Sequence, residues 1–388
     1  MIYMRINPFN PQQPAKPNFF VGREQEIKTF SNFLFQTINS SPMNMSVTGD
    51  RGMGKTSLLI KFEQLAREQN CVVIRLSNYE GSVNNVQELG DFLIENIESE
   101  ILSRSAIQKT LEEIKKFFSE LSPEISVGDL TFSLKRQKAV IQDIFTRKLT
   151  AIWDKIKSDY KAIVILIDES ETIEKIQGLT FLREIFQKVQ ANANYMVILA
   201  GKLNFPEKMS ETFSPLNRFF PAQRLKPLSN NYMDRYIRER LSSTGIIIEN
   251  QSLNRIGHMS EGHPYVLVSV CYWVFDSIAN NETKIDNSVV GRCMAKIRGR
   301  LSEDYFAPML QPLRPKTKNI LCKIVLQLDN LAFTSSDACK LTNMPPYLLS
   351  PFLGELTDKG VITRVSRGKY RLFHTLFKEY LNGACKLA

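Results

Sequence analysis

The segment GDRGMGKT, residues 49–56, fits the pattern G-x-x-x-x-G-K-[ST] at every fixed position. An apolar run at residues 43–48 comes directly before it, and residues 57–66 after it carry apolar side chains at helical spacing. A strand, a glycine-rich loop and a helix in this order predict a phosphate-binding loop, because glycines let successive N–H groups turn inward and the helix adds the positive end of its dipole. A plain glycine turn between a strand and a helix is the alternative interpretation.

Every residue of this loop is a candidate nucleotide ligand. Lys55 is expected to reach the β and γ phosphates, and the hydroxyl of Thr56 is expected to bind Mg²⁺. Side-chain bulk at Gly52 or Gly54 should spoil the cradle. The predicted nucleotide-binding residues of this segment are Gly49, Asp50, Arg51, Gly52, Met53, Gly54, Lys55, Thr56 and Ser57.

A second signal is AIVILIDE at residues 162–169, in which six apolar residues run into two carboxylates. Such a run is typical of a central strand of a parallel sheet, and the C-terminal ends of these strands are where open α/β sheets bind ligands. Asp168 is therefore expected to hold the Mg²⁺ shell through water. Glu169 is expected to orient or deprotonate the attacking water. An acidic pair that caps the next helix is the alternative.

Length and composition narrow the class of protein. A chain of 388 residues favours two or three domains, and 43% hydrophobic with 23% charged residues is typical of a globular protein. No apolar run is long enough to span a bilayer and the N-terminus lacks a secretory pattern, so we expect a cytoplasmic protein with no membrane partner. The six cysteines include no C-x-x-C pair, so a zinc site or a disulfide framework is not expected and the thiols are assigned to the core.

The net charge of +10 is concentrated at one end of the chain. From Gly291 onward the chain contains sixteen Lys and Arg residues but only seven Asp and Glu residues. A C-terminal quarter with nearly all of the excess charge favours a polyanionic partner such as DNA. A solvated basic surface without a ligand is the alternative.

The C-terminal region has the pattern of a winged helix-turn-helix. Its third helix, within PPYLLSPFLGELTDK, offers almost no side chain that reads base edges, carries Glu355 and Asp358, and is interrupted by Pro351. The positive charge lies on the following hairpin, the wing. If this module binds DNA, phosphate contacts should dominate and sequence specificity should be low. The candidate DNA contacts are Arg364, Arg367, Lys369 and Arg371.

The order of these parts resembles the AAA+ P-loop ATPases of the STAND and origin-recognition branch, prokaryotic type, with a C-terminal winged helix. The resemblance covers about residues 7–382 and rests on an N-P-F-x-P start, an F-V-G-R-E box at 20–24, the glycine loop, the I-D-E strand and a G-H-P triplet at 262–264. It implies an α/β core with a parallel sheet flanked by helices, then an all-α lid and a winged helix-turn-helix.

The resemblance also implies roles for residues outside the loop. Val21, Gly22 and Arg23 match the box that lines the adenine pocket, and Pro264 matches the lid residue that packs near the nucleotide. Arg218 matches an arginine presented to a γ-phosphate in cis or in trans, although a solvated loop arginine would look the same. Lys202 stands where the family commonly has Asn, Ser or Thr, so Lys202 or Asn204 is expected to act as the polar sensor, with slow hydrolysis.

The expected domains are an extended Pro-rich arm (1–18), the nucleotide-binding core (19–228) with a hairpin insertion at about 123–136, the lid (229–312) and the winged helix (313–388). The hairpin could contact DNA or a neighbouring subunit, or be an ornament. The expected function is an ATP-hydrolysing molecular switch that couples ATP/ADP and Mg²⁺ state to lid and wing movement and to self-assembly on DNA. The alternatives are a STAND-type regulatory ATPase whose winged helix binds protein, and a nucleotide-binding scaffold without turnover.

Overall fold

The computed structural model describes residues 5–77, 83–104, 108–121, 134–280 and 282–386. The chain divides into two compact units. The first, called here the sheet unit, consists of residues 23–48 and 55–224. The second, called the lid–wing unit, consists of residues 1–22, 49–54 and 225–388, so that most of the glycine loop belongs to the same unit as the C-terminal region.

Five parallel strands form the centre of the sheet unit. They are β1 (Met45–Thr48), β2 (Val72–Ser77), β3 (Ile163–Asp168), β4 (Tyr195–Gly201) and β5 (Ala222–Arg224), in the spatial order β2-β3-β4-β1-β5. Every residue of β3 and β4 is buried, as expected for strands covered by helices on both faces. Because all five strands are parallel, their C-terminal ends meet at one edge of the sheet.

The described residues of the sheet unit form nine helices. Stacking of Phe30 on Phe62, with ring centroids 4.1 Å apart, joins the first two of them. The predicted hairpin lies mostly outside the described residues, and the end of that prediction is wrong because residues 134–136 begin a helix. The helices are α1 (Glu24–Ile38), α2 (Lys55–Glu68), α3 (Val86–Arg104), α4 (Gln108–Leu121), α5 (Leu134–Ile156), α6 (Glu171–Glu174), α7 (Gly178–Val189), α8 (Phe205–Phe213) and α9 (Leu216–Phe219).

The first part of the lid–wing unit is helical and follows residue 229. Its helices are α10 (Asn230–Leu241), α11 (Asn250–Ser260), α12 (Pro264–Asp276), α13 (Asn287–Leu301) and α14 (Ala307–Leu310), with a π-helical turn at Ser302–Phe306. The prediction of an all-α lid is wrong in one detail, since β6 (Ile247–Ile248) and β7 (Lys284–Ile285) pair in parallel. The N-terminal arm also contributes an anchor that its prolines did not predict: Phe9 is 2% exposed and packs 6.0 Å from the ring of Tyr236.

The C-terminal part of this unit has the element order of a winged helix-turn-helix. It consists of α15 (Pro315–Val325), β8 (Ala332–Thr334), α16 (Ser335–Thr342), α17 (Pro346–Asp358), β9 (Ile362–Ser366) and β10 (Lys369–Leu372), with the sheet order β8-β10-β9. A further helix, α18 (Thr375–Lys386), was not predicted. Its apolar side chains, including Phe377, share one core with the lid and the arm. Among the described residues, no helix is long and apolar enough to cross a membrane.

The expectation that all cysteines are core thiols is wrong for one pair. Cys322 in α15 and Cys385 in α18 form a disulfide across a separation of 63 residues. Sequence could not reveal this pair, because the two cysteines become neighbours only when α18 packs on α15. In the chain-entropy account, closing a loop of this length stabilises the fold by about 4 kcal/mol.

Glu355 in α17 lies against the start of α15 and is not a free acid on a DNA-reading face. Its carboxylate accepts hydrogen bonds from Arg314 Nε at 2.8 Å and Thr317 Oγ1 at 2.7 Å. The hydrogen bond from Arg314, with a smaller one from Thr317, lowers the pKa of Glu355 to about 2. This acid therefore fixes α17 to the start of α15.

We predict that Glu355→Gln lowers the melting temperature at pH 7 by several degrees. Because the pKa of Glu355 is lower in the folded than in the unfolded chain, its contribution is complete above the unfolded value of about 4.3 and is lost as the pH falls toward 2. Thermal melts should thus show a constant wild-type advantage between pH 7 and 5 that shrinks at lower pH. Glu303→Gln, which removes an exposed ion pair to Arg300, is the matched control. An advantage that does not depend on pH would contradict this account.

Candidate functional site

The glycine loop begins directly after β1 and leads into α2. Gly52 and Gly54 have φ values of +76° and +87°, in the left-handed region that glycine tolerates best. A Cβ at Gly52 would lie 2.6 Å from His263 Cε1 and 2.9 Å from the Tyr305 hydroxyl, whereas a Cβ at Gly54 would meet no described atom within 4 Å. The first glycine is therefore required by protein packing. The second faces open space, as a surface that meets a ligand does.

Side chains of the lid hold the backbone of the loop. The carbonyl oxygen of Arg51 lies 2.8 Å from the Tyr305 hydroxyl and 3.0 Å from His263 Nε2. The next carbonyl, that of Gly52, accepts a hydrogen bond of 3.2 Å from the N–H of Tyr265. His263 and Tyr265 flank Pro264, the predicted nucleotide neighbour at the first position of α12. The G-H-P triplet thus lies against the glycine loop.

The wing also contacts the glycine loop. Thr363 in β9 donates a hydrogen bond of 2.7 Å from Oγ1 to Asp50 Oδ1, and Arg371 in β10 lies 3.3 Å from Asp50 Oδ2. Thr363 is buried, and the side chain of Asp50 is 17% exposed. We call these two contacts the Asp50 latch. One predicted DNA residue, Arg371, is therefore committed to the loop in this conformation.

The sheet unit supplies the residues expected to bind magnesium. Thr56 in the first turn of α2 donates a hydrogen bond of 2.6 Å to Asp168 Oδ2 at the end of β3. A hydroxyl and a carboxylate so close together suit Mg²⁺, which prefers oxygen ligands and is bound through one or two carboxylates together with substrate phosphates and water. The buried Oγ1 of Thr48, at the end of β1, has no hydrogen-bond partner among the described residues.

Glu169 is the next residue after Asp168. Its φ of +49° is unusual for a residue with a side chain, and its N–H is held by Asp168 Oδ1 at 3.0 Å. Partial burial, with repulsion from Asp168 and Glu171, raises the pKa of the Glu169 carboxyl, although Lys202 and Lys55 oppose this. Strained backbone and a basic carboxylate together are typical of functional positions.

The remaining predicted catalytic residues lie around this edge in different settings. Lys202, after β4, forms an ion pair of 3.7 Å with Glu171. Asn204 is the N-cap residue of α8, and its side chain does not cap the helix. Arg218 is exposed on α9. Their roles stay predictions.

The F-V-G-R-E box is divided between two kinds of environment. Gly22 has a φ of +76°, and a Cβ there would lie 2.7 Å from Leu228, so the box packs on the start of the lid. Arg23 is 5% exposed and lies 3.7 Å from Glu26. Val21 is half-buried. The adenine-pocket role of these three residues stays a prediction.

Part of the chain matches a known protein family. Residues 20–198 match a family model described as an AAA ATPase domain. This match agrees with the predicted AAA+ P-loop ATPase family. The predicted fold class is confirmed as well, because the parallel sheet with flanking helices and the helical C-terminal region recur in solved AAA+ structures.

Two of these structures and one curated relative illustrate the similarity. The Walker-type ATPase of Pyrococcus abyssi has a TM-score of 0.62 at 18% identity, covering 96% of this chain and 99% of that chain. The ORC2 protein of Aeropyrum pernix, in ADPNP–ADP complexes, has a TM-score of 0.57 at 12% identity, covering 95% and 96%. An uncharacterized HTH-type transcriptional regulator of Methanocaldococcus jannaschii is 22% identical over 97% of this chain and 91% of its own length.

The residues that hold the glycine loop were not predicted from the sequence. Tyr305 and Thr363 belong to no motif, and they lie 254 and 313 residues after their partners. The one signal in reach was the G-H-P triplet, which pointed to Pro264 and not to His263. These contacts arise from tertiary packing that no local pattern records.

We predict that Thr56→Ala and Asp168→Asn weaken binding of magnesium-bound ATP by roughly tenfold or more, because each removes an oxygen expected to support Mg²⁺. Calorimetric titration with ATP should be run with magnesium and with EDTA. The loss should appear with magnesium and largely disappear with EDTA. Thr150→Ala is the matched control, since the Thr150 hydroxyl donates to the Thr146 carbonyl within α5. Equal losses in both conditions would show that these residues do not act through the metal.

Proposed function

We propose that this chain is an ATP-binding and ATP-hydrolysing molecular switch in which the state of the nucleotide controls the lid and the wing. The observation that carries the proposal is that the residues 50–52 of the glycine loop are bonded by both. Tyr305 and His263 of the lid hold the Arg51 carbonyl, and the wing holds Asp50. A ligand that changes the shape of this loop must therefore act on both parts.

Hydrolysis would use the residues at the C-terminal edge of the sheet. Lys55 would neutralise charge on the β and γ phosphates, and Thr56 and Asp168 would hold Mg²⁺, which when bound supplies further neutralisation of the phosphate oxygens. Glu169 would accept a proton from the water that attacks the γ-phosphorus, so that the bond to the bridging oxygen breaks and ADP leaves. The raised pKa of Glu169 suits a proton acceptor.

The positive charge of the wing supports DNA as the partner on which the switch acts. Arg364, Arg367 and Lys369 are exposed, and the sequence concentrates its basic excess in this region. These wing residues would contact phosphates, and the chain would read few bases because α17 offers few groups that bond to base edges. The regulator from Methanocaldococcus jannaschii is described as HTH-type, which agrees with this proposal. Arg218 is exposed on α9, so it is accessible to the nucleotide of a neighbouring copy if the chain self-associates on DNA.

A second candidate is a regulatory ATPase whose winged helix binds protein. The Asp50 latch favours it, because Arg371 is held by the loop and is unavailable to a phosphate backbone in this conformation. The two candidates share the nucleotide switch and differ only in what the released wing contacts.

Turnover is tested by Glu169→Gln. We predict that phosphate release falls by about 10²-fold or more, because the amide cannot accept the proton. ATP affinity should change little, as measured by titration on the same preparation. Glu211→Gln, at an exposed position of α8, is the matched control. Unchanged phosphate release in Glu169→Gln would leave a nucleotide-binding scaffold as the remaining account.

Duplex DNA binding is tested by fluorescence anisotropy over a salt series. We predict that affinity falls as salt rises and that Arg367→Glu with Lys369→Glu nearly abolishes it. Asp50→Asn should strengthen binding by freeing Arg371. Lys28→Glu with Lys188→Glu, which reverses two exposed charges of the sheet unit, is the matched control. A DNA affinity that changes neither with salt nor in the wing variant would favour the protein-binding candidate.

A further inference from the structure

We propose that Tyr305 is a positioning residue for the phosphate-binding loop, which aims the N–H of Gly52 at the nucleotide by holding the Arg51 carbonyl. This inference rests on the proposed function and adds to it a residue outside every motif of the sequence. Tyr305 would touch neither the nucleotide nor the reacting atoms. It would act through one peptide group of the loop.

Two hydrogen-bond donors meet at the Arg51 carbonyl. The Tyr305 hydroxyl is one, at 2.8 Å. His263 Nδ1 accepts from the N–H of Val266 at 3.4 Å, so the hydrogen of a neutral imidazole is on Nε2, which lies 3.0 Å from the same carbonyl oxygen. The two donors use both lone pairs of the oxygen and fix its direction.

The direction of this carbonyl determines the direction of the next N–H. The peptide bond between Arg51 and Gly52 is planar, and the described chain contains no cis peptide bond, so the Gly52 N–H points opposite to the Arg51 carbonyl. That N–H donates to no described residue. A backbone donor held in place without a protein partner is what an anion-binding loop presents to a phosphate oxygen.

The fold places Tyr305 in a rigid position. It lies in the π-helical turn Ser302–Phe306, and turns of this kind are frequent at functional sites because the extra residue redirects side chains. Its ring centroid is 4.3 Å from that of Tyr265 and 5.8 Å from that of Phe373, which follows β10. Burial also raises the pKa of the Tyr305 phenol, so the hydroxyl keeps the proton that it donates.

Gly52 provides an independent observation. A Cβ at this position would lie within 3 Å of atoms of His263, Tyr265 and Tyr305. The three side chains therefore approach the loop backbone as closely as its geometry permits. Contact this close transmits small displacements of Tyr305 to the peptide that it holds.

The test compares Tyr305→Phe with the wild-type chain by calorimetric titration with ATP, ADP and adenosine. The phenylalanine keeps the ring packing and removes only the hydroxyl. We expect ATP and ADP to bind about fivefold to tenfold more weakly, the effect of one lost hydrogen bond, and adenosine to bind as before. The melting temperature without nucleotide should stay close to that of the wild type. Tyr236→Phe, which changes a partly buried tyrosine packed on Phe9, is the matched control.

A second pair of variants tests the other donor. His263→Gln keeps an N–H donor near the position of Nε2 and should retain most of the ADP affinity, whereas His263→Leu should lose it by a similar factor. Wild-type ADP affinity in Tyr305→Phe would overturn the positioning role alone, as would equal losses for ADP and adenosine. No nucleotide binding by the wild-type chain would overturn the proposed function and this inference with it.

Discussion

The hydrogen bond from Thr56 to Asp168 is the interaction on which the candidate site depends. The two residues are 112 positions apart, and the bond of 2.6 Å forms because the helix that follows β1 and the end of β3 lie at the same edge of one parallel sheet. Three groups are thereby fixed together: the Thr56 hydroxyl, the Asp168 carboxylate, and Glu169 as the next residue.

Gly52 and Gly54 of the loop are subject to different constraints. Both have positive φ, but the hydrogen of Gly52 faces lid side chains while that of Gly54 faces open space. The pattern G-x-x-x-x-G-K-[ST] fixes Gly54 and leaves the position of Gly52 open. Gly52 is required by the packing of the C-terminal region against the loop, whereas Gly54 leaves a surface without a protein neighbour among the described residues.

Sequence was sufficient where structure follows from local pattern. The runs that became β3 and β4 are continuous and apolar because both faces are covered, so their position could be read directly. The disulfide, the π-helical turn that carries Tyr305, and the Asp50 latch could not, since each depends on residues far apart in sequence that meet only in the folded unit. Glu355 shows a third case, in which the residue was noticed but its partners were not: an acid cited as unsuited to reading base edges fastens α17 to α15.

Arg371 connects the charge of the wing to the chemistry of the loop. Its guanidinium lies 3.3 Å from Asp50, and the same group would be needed for a phosphate of a polyanion. If one cation serves two acceptors in turn, release from Asp50 and capture of a polyanion are opposing equilibria. Linkage then requires that whatever loosens the Asp50 latch strengthens polyanion binding. If the nucleotide changes the affinity for a polyanion in this way, the polyanion changes the affinity for the nucleotide by the same factor. A surface pair of this kind is worth little energy alone. Together with the hydrogen bond from the buried Thr363 hydroxyl, the Arg371 contact holds Asp50 in a way that can be broken at a modest cost in free energy. Such a contact suits a reversible switch better than a permanent structural link.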